Sequence, residues 1–510
     1  MTTTSGVLTG TDLGSVHRYA GIRFAEAPSG DRRFRAPVPH RAAGHVDATS
    51  FGPTAWQPAS ALEAMLGGGA EERSEDCLHL NVWAPAGAIG QDATRPVMVW
   101  IHGGGFSTGS GSSPIYDGAS LAARGDTVVV SINYRLGPLG FLHLDHLDPE
   151  LAGSGNLGLL DQLAALDWVQ ENIAAFGGDA GNVTIFGESA GGMSVSSLLA
   201  IAGDSGRFHR VIAQSGAVHN LTTSDVAAET AARVMEAAGV DSLDELMAID
   251  PAALIAAGER VRGAGGNVLD RINGAHELGP QLMSFQPVLD GHVIERPLLD
   301  AIRDGVGSSV ALLTGVNVDE WNLFDPTRKP LPADRLATRI DRLAAASATP
   351  DAASSALAAA YDMSIDDDGM APRAVQSTLM TDAVFRLPAV RMLEARAEAG
   401  SAGHHYQFSW ASPVAGGILG SCHALELPFV FGTIGASGMH SFVGDHPPIE
   451  LSERMQDTWL HFARHGVPSE DSETFPTYDP DRRRVHDFGE VNAVVEHPHA
   501  ERTHAWADLL

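Results

Sequence analysis

Lysine is all but missing from this chain: Lys329 stands alone, and arginine supplies the rest of the 33 basic residues set against 63 acidic ones. The resulting formal charge of −30 at pH 7 repels polyanions and anionic lipid surfaces at long range, which excludes nucleic acid and argues against a membrane partner. Cysteine is just as scarce. Cys77 and Cys422 are too few for a disulfide framework and suit a reducing compartment, so both are expected as free thiols. No run of about 18 uninterrupted apolar residues occurs, and Met1 to Ala20 lacks the basic start and apolar stretch of a secretory signal. The expectation is a cytoplasmic chain without a membrane segment. His-Glu-x-x-His and paired cysteines are absent too. His143, His146 and Asp148, like His497, His499 and His504, have only loosely metal-like spacing, so no catalytic metal is expected.

What is present is globular: 44% hydrophobic and 19% charged residues allow a large core with no bias toward disorder. The organising stretch is Thr184-Ile185-Phe186-Gly187-Glu188-Ser189-Ala190-Gly191-Gly192. Asn182 to Phe186 reads as a buried strand, and Met193 to Ala202 has helical composition. Ser189 therefore sits on a Gly-x-Ser-x-Gly turn between strand and helix. A turn that sharp leaves no room for Cβ atoms two residues either side of the serine, which accounts for Gly187 and Gly191. It also presents the hydroxyl at a helix start, where unpaired N–H groups favour developing negative charge.

Pro96 to Ile101 is a continuous apolar run of the kind expected for a buried strand, and it ends in His102-Gly103-Gly104-Gly105-Phe106. Three glycines let that loop approach a ligand with its backbone. A dinucleotide fingerprint would need glycine at Thr108, and a P-loop would need Gly-Lys-Ser/Thr; neither is there. Thr127 to Ile132, Arg210 to Ala213, Val310 to Thr314 and His405 to Trp410 read as further strands. Leu159, Leu160, Leu163, Leu166, Val169 and Ile173 recur at helical spacing, and this is expected to be an amphipathic helix. Strand and helix alternate, which points to an α/β fold: a large, mainly parallel central sheet flanked by helices. Gly6 to Phe24 is expected to form a small N-terminal hairpin outside that sheet. Alanine-rich, acidic helices from about Thr223 to Ala257 and Pro332 to Ala360 are expected around the entrance, and Trp459 to Pro468 as a closing helix and its stop.

A serine is a weak nucleophile at neutral pH and needs a base within reach and an acid to orient that base. Glu320 follows a predicted strand and His423 lies in a later glycine-bounded loop, giving the chain order nucleophile, acid, histidine. Spacing alone leaves a surface carboxylate and an ordinary loop histidine open among 63 acids and 22 histidines.

Five motifs in the same order resemble the type-B carboxylesterase family, the cholinesterase and carboxylesterase branch of the α/β hydrolases, nearest to bacterial para-nitrobenzyl esterases. They are Glu75-Asp76-Cys77-Leu78-His79-Leu80-Asn81-Val82, His102-Gly103-Gly104-Gly105-Phe106, Gly187-Glu188-Ser189-Ala190-Gly191-Gly192, Gly315-Val316-Asn317-Val318-Asp319-Glu320, and the run from His423 to Gly432. The resemblance extends from about Gly21 to Pro476. It implies one α/β-hydrolase domain over residues 1–510, with insertions at about 220–300 and 325–385 forming the pocket rim. It implies Ser189 as nucleophile, His423 as general base and then acid, and Glu320 as the orienting carboxylate. The N–H groups of Gly104, Gly105 and Ala190 would form the oxyanion hole. Ser215 would support Glu320, while Glu188, Phe106 and Trp321 would belong to the pocket and its polar surroundings. The implied reaction is hydrolysis of small to medium carboxylic esters through an acyl-enzyme, with water as the other substrate and no cofactor, in a monomer or small homo-oligomer. Amide or carbamate hydrolysis by the same residues is the rival reaction, and a non-catalytic binding protein on this fold is the rival class. Two departures stand out: no cysteine lies in the stretch before Cys77 where many relatives have its disulfide partner, and bulky Trp321 follows the acid where glycine is common.

Overall fold

The computed structural model describes residues 1–60, 63–64, 68, 72–92, 94–264, 283–325, 331–345, 347–361, 370–371, 373–507 and 509. Of the two expected rim segments, residues 265–282, 326–330, 346, 362–369 and 372 lie outside those described.

Side chains alternate across a strand, and here the alternation sorts them to two cores. Val97, Val99, Ile101, Val128, Val130, Val183, Ile185 and Val211 join one apolar cluster, and Met98, Trp100, Val129, Phe186 and Ile212 join another on the opposite face. Strands buried on both faces require helical cover on both sides. The resulting eleven-stranded sheet runs Ala493–Val495, Val485–Phe488, His404–Phe408, Ala311–Asn317, Arg210–Gln214, Gly178–Glu188, Arg95–Ile101, Val128–Ile132, His79–Pro85, Val16–Arg23 and Thr11–Asp12. From Val485–Phe488 to Val128–Ile132 all neighbours are parallel. The strands beyond, at both edges, are antiparallel.

Three expectations need correcting. Val16–Arg23 is not part of a separate hairpin; it joins the main sheet antiparallel to His79–Pro85, with a register shift between Tyr19 and Ile22. Its alternation is real, since Val16, Tyr19 and Ile22 are buried, but the burial is against the large sheet. The small separate sheet is made instead by Thr2–Thr3, Gly6–Thr9 and His45–Asp47. The helix Leu157–Asn172 is not amphipathic. It is covered around most of its circumference, and Asp161 and Gln162 are buried because they bond Arg135 and Ser194. Finally, the helix Ile449–His465 does not close the chain, because Val485–Phe488 and Ala493–Val495 still extend the sheet. Those strands are only four and three residues long, too short a pattern to read.

The helices Ala333–Ala344, Pro350–Ala360 and Arg373–Thr381 build a third apolar cluster, in which Leu336, Ile340, Leu357 and Leu379 pack with Trp321 and with Trp506 near the C-terminus. Among the described residues no helix is long and apolar enough to cross a membrane.

Candidate active site

Every residue of the candidate site leaves the carboxyl end of one of four adjacent parallel strands, or is carried to that edge by a loop. The register aligns those ends: Ile101 pairs with Gly187, Glu188 with Gln214, and Gln214 with Gly315. Ligand sites of open α/β sheets form outside such ends.

Ser189 caps the helix Ala190–Ala202 with φ 56° and ψ −125°, a backbone conformation that costs a non-glycine residue energy and persists only where its surroundings impose it. The surroundings are tight. A Cβ on Gly191 would come to 2.0 Å from the Ile101 carbonyl oxygen, and one on Gly187 to 2.5 Å from the Gly191 backbone, so the glycines flanking the serine are required by close approach. Phe106, Ser215 and Ala424, close to the same edge of the sheet, also carry positive φ.

The glycine loop lies against the serine. The Cβ position of Gly103 is 3.1 Å from Ser189 Cβ. Gly104 adopts φ 105°, and a Cβ there would sit 2.2 Å from the Thr108 carbonyl oxygen. The Gly104 carbonyl accepts from the Ser107 and Thr108 N–H groups and holds the turn. Among the described residues the N–H groups of Gly104 and Gly105 donate no hydrogen bond inside the protein, and that of Ala190 opens its helix, where no intrahelical acceptor exists.

His423 Nδ1 is 2.6 Å from Glu320 Oε2, and both residues are buried. Glu320 Oε1 accepts from the Ser215 hydroxyl at 2.5 Å and from the Asn317 N–H at 2.7 Å. The Asp319 carboxylate accepts from the Ser421 N–H at 3.0 Å, and the His423 N–H donates to the Glu320 carbonyl at 3.3 Å, which fastens the histidine loop to the acid loop. On its other side His423 Nε2 lies 3.0 Å from Glu188 Oε1. The contact is off the line a hydrogen bond needs, and Glu188 Oε1 is left buried with no donor. Among the described residues the Ser189 hydroxyl makes no side-chain hydrogen bond, so Nε2 faces the neighbour of the serine rather than the serine itself.

Burial pulls the His423 pKa down, but Glu188 and Glu320 outweigh it and hold the ring well above its ordinary value. Burial pushes the Glu188 carboxyl up, against the pull of His423. A third buried carboxyl, Glu426, is pushed up to about 8 by burial and by the charges of Glu188 and Glu320, although Asn317 and Gln214 donate to it. The Trp459 indole N–H in turn donates to Gln214 at 3.0 Å.

The structure thus brings Glu320, His423, Glu188 and Ser215 into one buried network, with Ser189 and the glycine loop beside it. Phe106 is fully buried against Phe141, with rings 5.0 Å apart. Trp321 is buried in the third apolar cluster and touches Phe324. The rings that reach His423 are Phe324 at 5.0 Å and Phe385 at 4.8 Å, neither of which was singled out from the sequence. Glu426 also joins the network from the cap of the short helix Leu427–Phe431, and no regular spacing links it to His423, because Ala424 between them has positive φ. Phe385 has no regular spacing either, since it sits in a π-helical segment, Asp382–Arg386. Cys77 and Cys422 are free and buried.

A strained serine between strand and helix, at the carboxyl edge of a parallel sheet and followed in the chain by an acid and a histidine in contact, defines an α/β hydrolase. Residues 1–506 match the carboxylesterase family. The chain is 36% identical over 509 residues to the para-nitrobenzyl esterase of Bacillus subtilis (strain 168), covering 98% of this chain and 97% of that one. It is 35% identical over 498 residues to the fumonisin B1 esterase of Sphingopyxis macrogoltabida, covering 96% and 86%. Among solved structures, a para-nitrobenzyl esterase superposes with a TM-score of 0.86 at 34% identity over 100% of both chains. A carboxylesterase of Geobacillus stearothermophilus does so with 0.83 at 38% identity over 99% of both. The chain belongs to the carboxylesterase family, and it is a carboxylic ester hydrolase.

Proposed function

We propose that the chain hydrolyses small to medium carboxylic esters through an acyl-enzyme formed on Ser189. The observation that carries this reading is the 2.6 Å contact between His423 and Glu320, set beside a strained serine at the ends of neighbouring strands. Ser189 Oγ attacks the ester carbonyl and Nε2 of the deprotonated His423 ring, the form that grows as pH rises, takes its proton. Nε2 first exchanges its contact with Glu188 for the hydroxyl one residue along, the kind of tightening that substrate binding produces. Glu320 holds Nδ1–H and stabilises the imidazolium. The oxyanion is received by the N–H groups of Gly104, Gly105 and Ala190, each worth about 3 kcal/mol of transition-state stabilisation by analogy with such donors elsewhere. The imidazolium protonates the departing alcohol, and water activated by the same ring releases the acid. No step in this sequence calls on a metal or organic cofactor.

The segments at about 220–300 and 325–385 frame the pocket in this reading, and Phe324 and Phe385 form an aromatic wall beside His423. Two buried free thiols and the acidic surface suit a cytoplasmic enzyme. The test is Ser189→Ala against a short-chain para-nitrophenyl ester. Hydrolysis should disappear while the melting transition is kept, and retained turnover overturns the assignment. A parallel panel of amides and carbamates separates the ester reading from its rival.

A further inference from the structure

The loop that leaves the short helix Gly137–Phe141 carries His143, Asp145 and His146, and hydrolysis uses none of them. One ligand atom from each lies within 4.8 Å of the other two. His143 is buried, and its Nε2 is 2.7 Å from Asp145 Oδ1. Its Nδ1 is buried as well and has no hydrogen-bond partner. His146 is exposed and its ring centre is 6.1 Å from that of His143. Asp148, the acid whose spacing in sequence matched the two histidines, is engaged elsewhere, accepting from the Glu150 N–H as a helix cap. Asp145 takes its place.

Burial lowers the His143 pKa. Asp145 and Asp290 oppose that fall, while His146 and His292 add to it. Asp290 and His292 face the ring from the turn after Val288–Leu289. Asp290 is held there by the Asn156 amide at 2.8 Å and by the N–H groups of His292, Val293 and Ile294. Two nitrogens and one carboxylate oxygen favour a first-row transition ion over calcium or magnesium, which prefer all-oxygen sites. Two donors each about 2.0–2.2 Å from a tetrahedral ion lie about 3.4 Å apart, so the His143–Asp145 pair at 2.7 Å opens slightly on binding while the exposed His146 moves in.

We propose that His143, Asp145 and His146 bind one divalent cation of the zinc class, separate from the catalytic residues. The site lies two residues beyond Phe141, whose ring packs on Phe106 of the glycine loop, and Gly137 donates to the Phe106 carbonyl at 2.7 Å. Cation binding braces that corner of the fold, so the first consequence is thermal stability.

The experiment is a zinc titration of the untagged, chelator-stripped chain by isothermal titration calorimetry, with the melting temperature followed in parallel. One equivalent should bind and raise the melting temperature, and a chelator should reverse the rise. His146→Ala and Asp145→Asn, both at accessible positions, should each weaken binding by at least about tenfold and leave the melting temperature of the stripped protein unchanged. His461→Ala is the counter-variant, since His461 and His465 lie with ring centres 4.6 Å apart on the helix Ile449–His465. It should leave zinc binding untouched. Absence of saturable binding overturns the proposal, as does binding lost in His461→Ala but kept in His146→Ala.

Discussion

Of the buried charge arrangements among the described residues, two are built on opposite plans. In one, Arg135 faces Asp161 and nothing is left over. Its Nε and backbone N–H donate to one carboxylate oxygen, Nη2 to the other at 2.7 Å, and Nη1 to the Arg35 carbonyl. Charge and hydrogen bonds balance, as the burial of an ion pair demands. In the other, one imidazole lies between two buried carboxyls, Glu188 and Glu320, with a third, Glu426, close by, and Glu188 Oε1 has no donor. The first arrangement holds a helix to the sheet. The second is unbalanced in a way that moves protons, since one carboxyl is pushed up to about 8 and the histidine is held above its ordinary value. Buried titratable groups pushed this far from their ordinary values mark a site shaped for chemistry.

The largest effect is expected at the catalytic histidine. His423→Ala should lower kcat for a para-nitrophenyl ester by at least about 10⁴-fold with little loss of stability; a loss under about tenfold would remove the ring from the reaction. Asp161→Ala should do the reverse. It strands a buried guanidinium and should cost about 3–5 kcal/mol in chemical denaturation, whereas the double change Arg135→Met with Asp161→Leu should recover most of that and retain turnover.

Glu426 sharpens the contrast through pH. Its carboxyl titrates near 8 in the folded chain and near the ordinary carboxylate value when unfolded, so the native state holds one more proton between about pH 4.5 and 8. Its protonated form favours folding at low pH, and this contribution is lost as pH rises through that window. Glu426→Gln should therefore flatten the pH dependence of stability between pH 5 and 8, by on the order of a few kcal/mol. An unchanged profile would place the proton elsewhere. The smallest effect is expected at Glu188. With one of its two carboxylates gone, the apparent pKa on the acid limb of kcat/KM should fall in Glu188→Gln, as a shift toward lower pH of the limb that reports deprotonation of His423. A shift toward higher pH would contradict the arrangement.

Much of this was legible in residues with strict local requirements. The strand before Ser189, the two glycines around it and the three in the loop after Ile101 each announce a steric demand that no other residue meets. The acid and the histidine were legible by order along the chain and by resemblance, because 103 residues separate the partners of their contact and no periodicity spans such a gap. What stayed hidden was decided by packing. Nothing local to Val16–Arg23 distinguishes a hairpin of its own from an edge strand of the main sheet. Trp321 beside the acid invites a place in the pocket wall, yet the helices of the 333–381 region bury it. Phe324 and Phe385 take the position against His423, and the irregular helical turn that delivers Phe385 leaves no pattern in the sequence.

The most direct measurement is where a fluorophosphonate attaches. Peptide mass spectrometry of the labelled chain should find the adduct on Ser189 alone, at a rate that collapses in His423→Ala and Glu320→Ala. An adduct on another residue, or one formed on Ser189 at full rate without His423, would contradict the account.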